Sequence, residues 1–413
     1  MKKFLLNGFL LILALVVLSQ CKKNDDNELQ LIQISKVISV DAMRALPVGL
    51  TKATRVKNPG KIYIYNDYLF INEPQKGIHI YNNANPAAPI NMAFLQIPGN
   101  VDIAIRNNVL YADSYVDLLA FDISSVSNIK QIKRLPDVFK QFYWGGFSTQ
   151  GAQKNIVTYK DTLVRKSTNK SGWVNDISAF SNSANSSSSG QGGSMARFTL
   201  LNDYLYTVGN MDLSLFDIKT ETNPSFVKSI ILGWGVETIF PYENKLFIGT
   251  NTGMHIFNAA DAANPVKLST YSHVFACDPV VVQGKYAFVT LRTGNFCRQA
   301  VNQLEVVDIE DPTKPKQVSV FPMKNPHGLS VSGNNLFLCE GEFGIKSFNI
   351  ANKTEIDKNM LQYLTNIKSY DVIAGPKSLI VTGADGVYQF TYFNPVNMKQ
   401  LSLIKVDKSA SIF

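Results

Sequence analysis

Val236-Glu237-Thr238-Ile239-Phe240, then Lys245-Leu246-Phe247-Ile248-Gly249, then Gly253-Met254-His255-Ile256-Phe257-Asn258, then Asn264-Pro265-Val266-Lys267-Leu268 are four short apolar runs separated by turns. Runs of this length, rich in Val, Ile, Leu, Phe and Tyr and punctuated by Gly, Asn, Asp and Pro, read as strands rather than helices. The order returns at Val101-Asp102-Ile103, Val109-Leu110-Tyr111, Leu118-Leu119-Ala120-Phe121-Asp122 and Ile129-Lys130-Gln131-Ile132. It returns again from Phe198, through Leu205-Tyr206-Thr207-Val208, Leu213-Ser214-Leu215-Phe216-Asp217 and Asn223-Pro224-Ser225-Phe226-Val227. Further copies begin near Ile62, Pro279, Gly328 and Val372. A four-strand unit with a period of about 40 residues is the signature of a propeller blade.

The expected fold is therefore all-β: a β-propeller of four-stranded blades, with seven copies starting at Lys61, Asp102, Arg197, Glu237, Asp278, His327 and Asp371. The long step from Asp102 to Arg197 leaves room for an eighth, degenerate blade, and is read here as an insertion. Turn chemistry supports the repeat. Asp122, Asp217, Asp308, Asn258 and Asn349 close third strands, where a short acceptor can bond the backbone two residues on. Pro86/Pro89 and Pro312/Pro315 then stop helix propagation before the fourth strand.

This pattern resembles the LVIVD-repeat family of bacterial β-propeller proteins, through third strands such as Leu304-Glu305-Val306-Val307-Asp308-Ile309. The likeness to Bacteroidetes lipoproteins of that family rests on Gly99-Asn100-Val101-Asp102, Gly233-Trp234-Gly235-Val236-Glu237-Thr238, Ala276-Cys277-Asp278-Pro279 and Asn325-Pro326-His327-Gly328-Leu329. The resemblance implies the fold and brings no settled activity.

The first residues divide like an export signal: Lys2 and Lys3, then an apolar run over 4–18 broken by Asn7 and Gly8. That run is short for a helix crossing roughly 30 Å of hydrocarbon. Leu18-Ser19-Gln20-Cys21 resembles a lipobox, which implies a signal over 1–20 and a diacylglycerol on Cys21. Each buried acyl methylene contributes about 0.8 kcal/mol, so several chains hold a protein firmly. Lys22-Lys23-Asn24-Asp25-Asp26-Asn27-Glu28 should be a solvated tether within a lead-in over 21–58, ahead of a propeller over 59–413. The expected placement is the outer membrane, on its periplasmic or external face.

Of 413 residues, 45% are hydrophobic and 17% charged, which fits a folded chain with a large core. The net charge of +8 is spread out, with no basic block carrying interleaved aromatics, so nucleic acid is not the expected partner. A monomer without cofactor is expected. Apart from Cys21, the cysteines are Cys277, Cys297 and Cys339. Cys277 and Cys297 flank one hairpin and are candidates for a disulfide in an exported protein. Cys339, in Leu336-Phe337-Leu338-Cys339, reads as a small buried hydrophobe.

Between Pro136 and Met195 the rhythm is lost, with the insertion placed at about 144–195. Tyr143 and Trp144 are candidate contact rings for a sugar or protein. Ile156-Val157-Thr158-Tyr159 and Thr162-Leu163-Val164-Arg165 suggest a hairpin turning at Lys160-Asp161. Residues 181–194 are almost wholly Ser, Asn and Gly and should be mobile.

Blade alignment puts one polar residue at the start of each innermost strand: Lys61, Asp102, Arg197, Glu237, Asp278, His327 and Asp371. Converging on one channel mouth, they would bind a cation or polar ligand through Asp102, Glu237, Asp278 and Asp371, with His327 as ligand or acid/base group. The alternative is that opposite charges on neighbouring blades simply pair. Whether a metal binds is left open; no Cys/His pair stands at zinc spacing. His79 and His255 fall mid-strand and read as ordinary strand residues. No G-x-S-x-G, H-E-x-x-H, Walker loop or dinucleotide fingerprint is present. The sequence thus favours a non-catalytic envelope module binding a protein or glycan. An enzyme on envelope or extracellular polysaccharide, using ring carboxylates and His327, is the competing expectation.

Overall fold

The computed structural model describes residues 29–139, 155–165, 191–274, 279–293 and 301–407. The chain divides into two compact units, one of residues 37–158 and 177–408, the other of 1–36, 159–176 and 409–413. The described part of the smaller unit, 29–36 and 159–165, is extended strand throughout.

The larger unit contains seven antiparallel sheets of consecutive strands, one per sequence repeat. Blade 1 runs through Ile62–Tyr65, Tyr68–Glu73, Gly77–Asn82 and Ile90–Gln96. Blade 2 uses Ile103–Arg106, Val109–Ser114, Asp117–Asp122 and Lys130–Leu135. Blades 3 to 7 begin at Phe198–Leu201, Val236–Tyr242, Val280–Gln283, Leu329–Ser332 and Ser369–Ala374, and the seventh ends with Gln400–Lys405. The expected seven-bladed propeller is the observed one.

Every blade carries a register shift between its third and fourth strands, as between Ile80 and Tyr81 or Gln389 and Phe390. A bulge there strengthens the right-handed twist. Second and third strands are almost wholly buried: Phe70, Phe121, Phe247, Phe288 and Phe337 are fully enclosed between blades. Fully burying one such ring contributes roughly 1.5–3 kcal/mol.

Neighbouring blades are also latched by side chains reaching the loop after the next blade's third strand. Tyr111 donates to the Glu221 carbonyl (2.9 Å), Ser269 to Pro312 (2.7 Å), Ser319 to Lys353 (2.6 Å) and Ser347 to Pro395 (2.8 Å). The ring closes in the same way. Ser402 donates to the Pro86 carbonyl (2.6 Å), Asn83 and Gln389 exchange two amide bonds, and Ile62, Ile64 and Ile71 pack on Ile373, Ile380 and Val387. The Asp407 amide then donates to the Val56 carbonyl, joining the two ends of the propeller stretch (2.7 Å).

Three segments depart from the sequence expectation. Gly49–Thr51, within the expected lead-in, adds an antiparallel strand to the outer edge of blade 1, opposite Phe94, Leu95 and Gln96. Asn155–Arg165 is one continuous strand, paired with Leu29–Ser39 in a two-stranded sheet, instead of a hairpin at Lys160-Asp161. Neither position is a glycine that would make a tight hairpin turn easy, so the chain stays extended. Gln191–Gly192 forms a further strand on the inner edge of blade 1, opposite Ile64 and Tyr63. The last residues of the Ser/Gly/Asn-rich stretch are thus fixed; residues 181–190 lie outside the described ones.

Candidate functional site

In an up-and-down blade, the start of the first strand, the end of the second and the start of the third lie at one end, with the connections between blades. The ring positions therefore share a face with the inter-blade loops, including the points where the insertion leaves and rejoins. The opposite face carries the turns after first and third strands. Those turns are uniform: Asp122, Asp217, Asn258, Asp308 and Asn349 each accept from the amide two residues on, at 2.8–2.9 Å. One face is regular and the other is not.

On the irregular face the ring separates into two clusters. Lys61 Nζ lies 2.7 Å from Asp102 Oδ2, with both side chains buried. The same oxygen accepts from the backbone amides of Arg197 (2.6 Å) and Phe198 (3.0 Å), while Asp102 Oδ1 accepts from Ile103 N (2.8 Å). One carboxylate thereby ties together the first strands of blades 1, 2 and 3. Behind it, Asn72 donates to Asn100, and Asn100 donates to Asp113 Oδ1 (2.8 Å), which also takes the amides of Val101 (2.8 Å) and Asp102 (3.0 Å). Burial pushes the Asp113 carboxyl up to about 6, against the pull of those amides. Burial also lowers the Lys61 ammonium, opposed chiefly by Asp102.

The Arg197 side chain turns outward. Its Nη2 donates to Asn210 Oδ1 (2.7 Å) and to the Val236 carbonyl (3.4 Å). Burial lowers its pKa, and the negative charge of Glu237 is the largest influence the other way. Glu237 itself is half-buried.

The second cluster joins blades 6 and 7. Ser194 is fully buried; its hydroxyl donates to Asp371 Oδ1 (3.2 Å) and accepts from the Leu329 amide (2.9 Å). Residues 192–196 are all buried, and the Ala196 carbonyl accepts from Ile239 of blade 4 (2.8 Å). This stretch touches blades 1, 4, 6 and 7 and so crosses the propeller axis, filling the centre on this face with its own chain. His327 is 8% exposed, lies against the Tyr370 ring at 5.6 Å between centroids, and is held neutral, its pKa lowered to about 3 by burial and by Arg292. Asp371 is buried and approaches Gly328 so closely that a Cβ there would lie 2.0 Å from its Oδ1.

Four of the ring residues named by the sequence, Lys61, Asp102, His327 and Asp371, are thus buried within packed networks, and Arg197 and Glu237 reach toward the surface. Asp278, Cys277, Cys297, Tyr143, Trp144 and Cys21 lie outside the described residues. Among the described residues, no group of three or more His, Cys, Asp or Glu side chains is placed to hold a metal ion. His79 is fully buried with Nε2 2.8 Å from Glu73, and His255 bonds Thr270 at 3.0 Å, both as strand residues. Cys339 is fully buried in the core between blades 6 and 7.

The sequence reading missed Asp113, Ser194 and Trp234. Asp113 is embedded in the apolar run of a second strand, and Ser194 in a stretch with linker composition. Trp234, 54% exposed in the connection between blades 3 and 4, carried a usable signal, since it stands between two glycines.

No protein-family model matches the chain, and no curated protein matches its sequence. Solved structures do. The periplasmic gluconolactonase PpgL of Pseudomonas aeruginosa superposes with a TM-score of 0.55 at 9% identity, over 87% of this chain and 96% of that one. A protein from Lactobacillus plantarum gives 0.54 at 10% identity, over 83% and 95%. The computationally designed Ika8 protein gives 0.52 at 7% identity, over 85% and 90%. At such identities the likeness speaks to architecture alone, and the architecture is the β-propeller.

Proposed function

We propose that this chain is an exported lipoprotein of the LVIVD-repeat type, anchored through Cys21, whose propeller is a rigid platform binding a protein or glycan partner. The observation that carries this reading is the difference between its two faces. Regular turns repeat on one; on the other, the inter-blade connections vary and an insertion departs. Binding residues concentrate on variable loops positioned by a rigid scaffold. The ring at the centre of that face favours a platform over a catalytic pocket. Asp102 accepts bonds from blade 3 and Asp371 from the central segment, so both are occupied by the chain itself, and His327 is enclosed and neutral.

Two measurements test the proposal. Labelled palmitate should enter the wild-type chain and not Cys21→Ala, which should leave the membrane fraction. A photo-crosslinking phenylalanine analogue, placed instead of Phe343 on the irregular face or Phe393 on the regular one, should give a discrete adduct in host envelopes from the first position alone. Adducts from neither position, or only from the second, would remove the support for a one-faced platform.

A further inference from the structure

We infer that the outer wall of blades 1 and 7 is a docking surface for anionic phospholipid of the membrane that holds the chain, an assignment that rests on the Cys21 anchor in the reading above. The sequence concentrates positive charge there by omitting its opposite. No Asp or Glu stands between Asp41 and Asp67, between Glu73 and Asp102, or between Asp385 and Asp407. Those intervals hold the end of the lead-in, the third and fourth strands of blade 1, and the third and fourth strands of blade 7.

The fold then gathers the cations of these intervals. Beyond the Gly49–Thr51 pairing, the Asn91 side-chain amide donates to the Thr54 carbonyl (2.7 Å) and holds the lead-in along the fourth strand of blade 1. Lys52 and Arg55 flank that contact, both exposed. Val56 is buried among residues of blades 1 and 7, and its carbonyl takes the Asp407 amide (2.7 Å). This bond brings the end of the last strand, with exposed Lys405, to Arg55 and exposed Lys57. Among the described residues, no carboxylate lies within ion-pairing distance of Lys52, Lys57 or Lys405, and Arg55, 81% exposed, meets only Asp407 at 3.7 Å. Lysines of the regular face are neutralised instead: Lys219, Lys245 and Lys285 lie 3.5, 3.2 and 2.6 Å from Asp217, Glu243 and Glu310.

Charge and apolar exposure together name the partner. A local excess of cations selects an anionic surface. Ile90 and Met92, on either side of Asn91, are 60% and 46% exposed, so aliphatic side chains stand among the charges. Apolar contact combined with Lys and Arg is how a protein surface settles into the headgroup region of a bilayer. Each Lys or Arg close to an anionic leaflet strengthens binding about fivefold, and a tether to that leaflet keeps the wall at high effective concentration. Docked by this wall the propeller stands edge-on, which leaves its irregular face open to a partner.

The test reconstitutes the full chain, purified from host membranes, into vesicles of phosphatidylcholine alone or mixed equally with phosphatidylglycerol. A photo-crosslinking phenylalanine analogue replaces Met92, and lipid adducts are measured by mass spectrometry. Adduct yield should be about fivefold higher or more in the mixed vesicles. It should return to the phosphatidylcholine level in concentrated salt, which screens exposed charges. Lys52→Gln, Arg55→Gln and Lys57→Gln combined should lower the yield in mixed vesicles about fivefold or more. Lys219→Gln, Lys245→Gln and Lys285→Gln combined remove the same charge from the regular face and should leave it near wild type. All six side chains reach solvent, so both triple variants should keep the wild-type melting profile. Equal yields in the two vesicle types, a yield unmoved by the first triple variant, or one lowered equally by the second overturns the inference. Flotation with phosphatidylcholine vesicles reports the Cys21 anchor separately. Its loss while charge-dependent adducts persist removes the anchor and leaves the wall; intact flotation without such adducts removes only the wall.

Discussion

Lys61 Nζ and Asp102 Oδ2 sit 2.7 Å apart at the top of the first two blades, each side chain only 4% exposed. The pair is not symmetric in its dependence on the partner. Asp102 keeps three backbone donors, from Ile103, Arg197 and Phe198, if Lys61 is removed. Lys61 loses its carboxylate partner if Asp102 is removed.

Asp102→Ala should accordingly cost more than Lys61→Met. Stranding a buried charge costs about 3–5 kcal/mol, and here two backbone amides of blade 3 lose their acceptor as well. Lys61→Met replaces the ammonium by an apolar chain of similar length and should cost less than half as much. Urea unfolding of both variants checks the order, and equal losses would mean that the ion pair dominates over the backbone bonds.

The half-buried Asp113 and the buried His327 should give stability opposite dependences on pH. Asp113 titrates near 6 in the fold against about 3.9 in an unfolded chain. The native state binds the extra proton between those values, so this group lowers stability as pH rises from about 4 to about 6, by roughly 2–3 kcal/mol. His327 is the reverse: at about 3 in the fold against about 6.5 unfolded, its contribution is complete above pH 6.5 and is lost as pH falls toward 3. The difference in unfolding free energy between Asp113→Asn and wild type should therefore grow from pH 4 to pH 6 in the variant's favour. The corresponding curve for His327→Gln should favour the variant increasingly below pH 6.5. A flat difference curve for either would show that the group is solvated in the fold.

The blades were legible because their signals are local. Alternating apolar residues mark strands, and Asp122, Asp217 and Asp308 turn the chain by bonding amides two residues away. The ring positions were legible too, since a polar residue opening each innermost strand stands out against the apolar run behind it. Their condition was not. Whether Asp102 faces water or a lysine depends on residues 41 and 95 positions away, and no local pattern carries that. Composition misled at Ser194: small residues that resemble a linker are also the ones that fit beside the crowded propeller axis.

Ser194→Ala tests that central segment. The hydroxyl is fully buried and serves both Asp371 and the Leu329 amide, so its removal takes one bond from each. An unsatisfied buried polar group costs about 1–3 kcal/mol. The Leu329 amide should also exchange with deuterium faster, relative to amides in the outer strands of blades 6 and 7. Unchanged stability with unchanged exchange would place a water in the hydroxyl's position.

Gly328→Ala should be among the most damaging single-methyl additions in the molecule. The added Cβ would lie 2.0 Å from Asp371 Oδ1 and 2.9 Å from the Asp371 α-carbon, so a side-chain rotation relieves only the first clash. The backbone cannot easily yield, because Gly328 N donates to the Tyr370 carbonyl (2.9 Å) and its own carbonyl accepts from Cys339 (3.0 Å). Overpacking a rigid site costs typically about 1–3 kcal/mol, and the backbone clash puts this one at the upper end. Combining it with Asp371→Gly should recover only part of the loss, since the clash with the backbone of residue 371 persists. Full recovery would locate the strain in the carboxylate, and a loss below about 0.5 kcal/mol, the ordinary surface level, would mean that blades 6 and 7 are less tightly apposed than their hydrogen bonds require.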